Sequence, residues 1–138
     1  MIRSVASVLG GFSVWTVLWL GSNAVVAAAV PSAISDDGSV HGTGVLLLMF
    51  ALSVVFSVIA GYVLGLIARG SSMKCAWALG IIQLTVGVFV QAQYWDKMPL
   101  WYHLSFLIML LPAILIGATL RLRKIEPAVL TSAGTLGR

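Results

Sequence analysis

No Asp, Glu, Lys or Arg occurs between Asp37 and Arg69, and within that stretch four small residues, Ser53, Ser57, Gly61 and Gly65, recur at every fourth position. Residues four apart stack on one face of a helix, so these form a groove that a second helix can approach closely. Val55, Ile59, Val63 and Leu66 lie around the groove. A long uncharged run of this kind suits hydrocarbon, where a helix satisfies its own backbone polar groups and ionised side chains are costly. The stretch reads as the central packing helix of a membrane bundle.

The rest of the chain agrees. Hydrophobic residues make up 60% of the 138 and charged residues 9%, whereas a soluble domain carries about 25% charged residues. The apolar residues fall in long blocks rather than short alternating runs, which favours an all-α membrane protein over a β-barrel. The formal net charge is +4, but it comes from only eight Lys and Arg. Most of them flank apolar blocks, where they act as topology signals, so nucleic acid is not an expected partner and the lipid bilayer is. The single cysteine, Cys75, leaves no internal disulfide to form.

Four spans follow, at about 4–30, 43–68, 75–95 and 99–120, with a tail at 121–138. The first block holds 27 residues without a charge, enough for about 40 Å of helix and longer than the apolar part of a signal peptide. Pro31 closes it, because proline cannot continue the hydrogen-bond ladder. The short loop Asp96-Lys97-Met98-Pro99 makes spans three and four antiparallel neighbours. Pro112 is expected to kink span four. The tail, with one Pro, two Gly and several Ser and Thr after residue 124, shows no convincing helical period and on its own is expected to be mobile.

Arg3, Arg69, Lys74, Arg121, Arg123, Lys124 and Arg138 fall on one side of these spans, and only Lys97 falls on the other, with Asp36, Asp37 and Asp96. The positive-inside rule then predicts an antiparallel four-helix bundle with both termini in the cytoplasm. Tyr94, Trp95, Trp101 and Tyr102 would form an aromatic belt at the opposite interface. Trp15 and Trp19, four apart in span one, share a face suited to packing.

Catalytic signals are sparse. No carboxylate lies within a span, and there is no cysteine pair, HExxH or glycine-rich phosphate loop. The chain is therefore expected to be no enzyme, with no catalytic residue, resident metal or cofactor. His103, near the start of span four, is expected to make an interfacial hydrogen bond; ligation of a haem or pigment metal is the alternative. His41 lies in a loop with Asp36 and Asp37, a weak metal-ligand set. Asn23, Gln83, Gln91 and Gln93 are polar groups at membrane depth, each needing a partner. They read as structural glue between helices, or alternatively as a polar path centred on Gln83, with Gln91 and Asn23, for a quinone head group or small solute.

From residue 60 onward, about half the chain, several segments carry a likeness: Ala60-Gly61-Tyr62-Val63, Ile67-Ala68-Arg69, Ala78-Leu79-Gly80, Pro99-Leu100-Trp101-Tyr102-His103-Leu104, and Pro112 with Gly117-Ala118-Thr119-Leu120-Arg121. In these the chain resembles a group of small, functionally unassigned bacterial inner-membrane proteins with four spans. The resemblance implies a bacterial multi-pass protein and transfers no activity. The expected role is an accessory subunit packing against other membrane-protein subunits, with a small transporter or channel, or a pigment- or haem-binding subunit, as alternatives.

Overall fold

The structure, a computed structural model, describes residues 2–68 and 72–135, with side chains through residue 123. Arg69, the turn at Gly70 and Ser71, Arg138 and the side chain of Lys124 lie outside the described residues. Four helices follow one another: α1 (Ile2–Ala29), α2 (Thr43–Ala68), α3 (Ser72–Gln93) and α4 (Leu100–Thr135), with a single 3-10 turn at Pro31–Ala33 after α1. Each of the four is long and apolar enough to cross a membrane, α4 over Leu100–Arg123. The chain is an all-helical membrane bundle.

Local chemistry sets the ends of these helices. Pro31 starts the 3-10 turn that ends α1. Gly42 has φ +100°, a backbone conformation in which a side chain would be strained, and from it the chain enters α2. Pro99 precedes α4, and its carbonyl accepts the first turn's bond from Tyr102 N–H.

The small-residue groove of α2 is used within the chain. Ser53, Ser57, Gly61 and Gly65 are all buried, and two neighbours divide the groove between them. At its serine end, Trp15 of α1 donates its indole N–H to Ser57 Oγ at 3.1 Å. Ser57 in turn donates to Ser53 O at 2.8 Å. At its glycine end, α4 comes into backbone contact. A Cβ on Gly61 would stand 2.0 Å from the Ile114 carbonyl oxygen, and one on Gly117 would stand 2.0 Å from the Val58 carbonyl oxygen. The α2–α4 crossing is thus a reciprocal glycine contact, the closest approach two helices can make.

Around this crossing a continuous apolar core gathers Trp15, Leu64, Leu79, Phe106, Leu110 and Ile114. A smaller cluster, Val40, Leu46 and Tyr102, sits under the α1–α2 loop. That loop and the α3–α4 loop share one end, where Val40 N–H donates to Lys97 O. This acidic end carries Asp36, Asp37 and Asp96. At the basic end Gly65 faces the side chain of Arg121, and Ser4 and Lys74 line a common hollow.

Two sequence expectations change. The tail does have helical structure over the described residues, since α4 runs on without interruption to Thr135. Extending an existing helix adds one hydrogen bond per residue without a new nucleation cost, so even a Ser- and Gly-rich sequence can continue it. Pro112 lies inside α4, with helix on both sides of it. The limits of α3 move to Ser72 and Gln93, leaving Tyr94 and Trp95 in the turn.

Candidate functional site

The acidic end is the most elaborated part of the molecule. In the α1–α2 loop Asp37 accepts from Ser39 N–H at 2.9 Å and from Ser39 Oγ at 2.7 Å, which closes a local turn around Gly38 with φ +82°. These hydrogen bonds from the Ser39 backbone and hydroxyl, with a smaller contribution from Lys97, hold the Asp37 carboxyl below its ordinary pKa. Lys97 reaches across from the other loop. Its Nζ donates to Asp37 O at 2.5 Å and lies 5.4 Å from the centre of the Tyr94 ring.

Beneath the joined loops is a cavity of about 290 Å³. Its walls come from every helix: Trp19 and Asn23 of α1, Met49 of α2, Gln91 of α3 and Tyr102 of α4. A second hollow of about 170 Å³ lies directly below, between α1 and α3, and the two share Trp19, Leu20 and Val90. Trp15 and Trp19 stack with centroids 5.8 Å apart, so the face they share forms one flank of the seam.

Gln91 ties the cavity wall to a buried histidine. His103 is fully buried, its Nδ1 lies 2.5 Å from Gln91 Oε1, and its Nε2 lies 3.2 Å from Met98 O. Trp95 stacks on its ring at 5.0 Å. A carbonyl only accepts, so Nε2 carries the proton in the Met98 bond. A ring with one proton then satisfies both contacts if the Gln91 carboxamide presents its NH2 to Nδ1.

His103, expected to make a hydrogen bond near the interface, bonds at both ring nitrogens and is buried within the bundle under the stacked ring of Trp95. Both ring nitrogens are engaged within the chain, so a metal at either would have to displace Gln91 or Met98. Of the three residues assigned to one polar path, Asn23 and Gln91 line the same cavity and Gln83 does not join them. Gln83 sits on α3 between Gly80 and Gly87, fully buried, with neither carboxamide atom hydrogen-bonded. Gln93 is exposed. His41 bonds to Ser35 Oγ at 2.8 Å, and among the described residues no three His, Cys, Asp or Glu side chains gather as a metal set.

No protein-family model matches this chain, and neither a curated protein nor a solved structure is similar to it. The site therefore has to be read from its own chemistry. One residue that sequence reasoning assigned elsewhere matters here. The sequence puts Tyr102 in the aromatic belt, yet it is 2% exposed, whereas its neighbour Trp101 is 40% exposed. Adjacent helical residues point about 100° apart, so one faces the surroundings and the other the cavity. The only sequence signal for that difference is helical phase: Tyr102, Phe106, Leu110 and Ala113 form an i, i+4, i+8, i+11 stripe, all of it buried.

Chemically, the arrangement is suited to holding something apolar with few polar attachments. The walls combine aromatic and methionine surface with two carboxamides.

Proposed function

We propose that this chain is a non-enzymatic protein of a bacterial inner membrane, an antiparallel bundle with both termini in the cytoplasm, that serves as an accessory subunit packed against partner helices. The observation that carries the partner reading is on α1. This helix is the least buried of the four, and Gly21, Ala24 and Ala28 lie exposed on one of its faces. A Cβ on Gly21 would meet nothing within 4 Å. Small side chains on an open face let another backbone come near, which is how helices associate where lipid supplies no hydrophobic driving force. The groove of α2 is already filled by α1 and α4, so this face of α1 takes the role that the sequence suggested for α2.

The orientation is supported by charge. Arg3, Lys74, Arg121 and Arg123 lie at the basic end, and the three Asp residues lie at the other. The transporter reading has less support, since the basic half of the bundle is filled by the apolar core. The haem or pigment reading has less support too, since His103 is engaged at both nitrogens.

The test is site-specific photocross-linking in native membranes. A photoreactive residue at Ala24 is expected to capture a second polypeptide, while one at Phe89, 69% exposed on α3, captures lipid only. Extraction in a mild detergent as a lone monomer, with no protein adduct at Ala24, would remove the partner reading.

A further inference from the structure

The paired hollows of the α1–α3 seam have the layout of a site for a molecule with a head and a tail. We infer that they bind a neutral amphiphile bearing a hydroxyl on its head, with the head under the loops against Asn23 and Gln91 and the tail along the seam below Trp19. This goes beyond the partner reading and does not depend on it.

The first argument is size. The upper cavity, about 290 Å³, is roughly twice the ~150 Å³ at which an engineered protein cavity holds benzene. It admits a ring or a glycerol-sized group, but not a whole lipid. The lower hollow, about 170 Å³, continues from it through the shared residues Trp19, Leu20 and Val90. It is walled by Phe12, Val86 and Phe106, which suits a hydrocarbon chain.

The second argument is hydrogen bonding. Gln91 is 4% exposed and spends one end of its carboxamide on His103. The other end has no partner among the described residues, and Gln91 forms part of the cavity wall. Asn23 spends its Nδ2 on Trp19 O at 2.9 Å, which leaves Oδ1 as an acceptor. A hydroxyl both donates and accepts. With the Gln91 NH2 on His103, its Oε1 faces the cavity, so both open positions are acceptors: one hydroxyl donates to either of them and a head with two hydroxyls completes both, which a carbonyl or an ether cannot do. A buried polar group that gains its missing partner on binding gives selectivity for the ligand that supplies it.

The third argument is charge. Among the described residues the one Lys or Arg at this end, Lys97, is held by the Asp37 carbonyl and the Tyr94 ring, and none of the described cavity walls is charged. An anionic head would be buried without a counter-ion, so the head is neutral. Acylglycerols and isoprenoid-tailed quinols share this chemistry.

The experiment uses the full chain in nanodiscs of phosphatidylcholine. 1-Monooleoylglycerol and, under anaerobic conditions, decylbenzoquinol are titrated separately, with methyl oleate as a tail without a hydroxyl. Tryptophan emission is followed, since Trp19 forms part of the walls of both hollows. Saturable binding of either hydroxylated probe is expected, at least tenfold tighter than methyl oleate, and the one that binds tells the glyceride source from the quinol source. Asn23→Leu, which removes only a bond to its own helix, is expected to weaken binding about tenfold, and Val86→Trp, which fills the lower hollow, is expected to abolish it. Equal binding of methyl oleate, a response unchanged in both variants, or no saturable response to either hydroxylated probe would overturn the assignment.

Discussion

Gln83 and Gln91 are the same residue type two turns apart on one helix, and their surroundings give them opposite consequences. Gln91 holds His103 and forms part of a cavity wall, whereas Gln83 is fully buried with no hydrogen bond to either carboxamide atom. A buried polar group without a partner costs about 1–3 kcal/mol. Gln83→Leu keeps similar volume and removes that cost, so it is expected to stabilise the protein by about 1–3 kcal/mol in SDS-titration unfolding from mild-detergent micelles. Gln91→Leu strands His103 Nδ1 and is expected to destabilise by a similar amount. Destabilisation by Gln83→Leu would show that its amide has a partner after all. The sequence announces both glutamines as polar groups that need partners, but it cannot say which one finds a partner. That depends on what α4 presents opposite each one, His103 in one case and the apolar stretch around Phe106, Leu110 and Ile114 in the other.

For whole helices, the glycines separate three kinds of neighbour. Gly21 has open space, Gly80 faces the movable Cδ1 of Leu111 at 2.2 Å, and Gly61 faces the Ile114 backbone at 2.0 Å. Replacing each with alanine adds the same methyl and brings the same gain in helix propensity, about 0.5–1 kcal/mol. The outcomes are expected to rank by what must move. Gly21→Ala should be neutral to slightly stabilising and Gly80→Ala mildly destabilising as Leu111 changes rotamer. Gly61→Ala should be destabilising by about 3 kcal/mol or more, because a backbone carbonyl cannot rotate away. The same SDS-titration unfolding measures all three, and equal effects at Gly61 and Gly80 would refute the backbone contact. The groove itself was legible, because a four-residue period of small side chains has one geometric meaning on a helix. Its division, serines to α1 and glycines to α4, was not, because small residues permit approach without specifying who approaches. The helical tail was missed for a related reason. Residues 125–135 contain nothing that would start a helix, yet they only have to continue one.

As a whole, the molecule is proposed to cross the bilayer four times, with acidic loops at one surface and basic ends at the other, and its described interior is given to packing and to the hollows of the α1–α3 seam rather than to a charged path. The core of Leu64, Leu79 and Ile114 fills the basic half, and the joined loops cover the opposite end. The most direct test is labelling of single cysteines by a membrane-impermeant maleimide in intact bacterial cells, in a Cys75→Ala background. Asp36→Cys and Asp96→Cys, both at exposed loop positions, are expected to label without permeabilisation. Arg3→Cys and Lys74→Cys, exposed at the other end, are expected to label only after it. Labelling of Asp36→Cys and Lys74→Cys from the same side would contradict the four-crossing bundle.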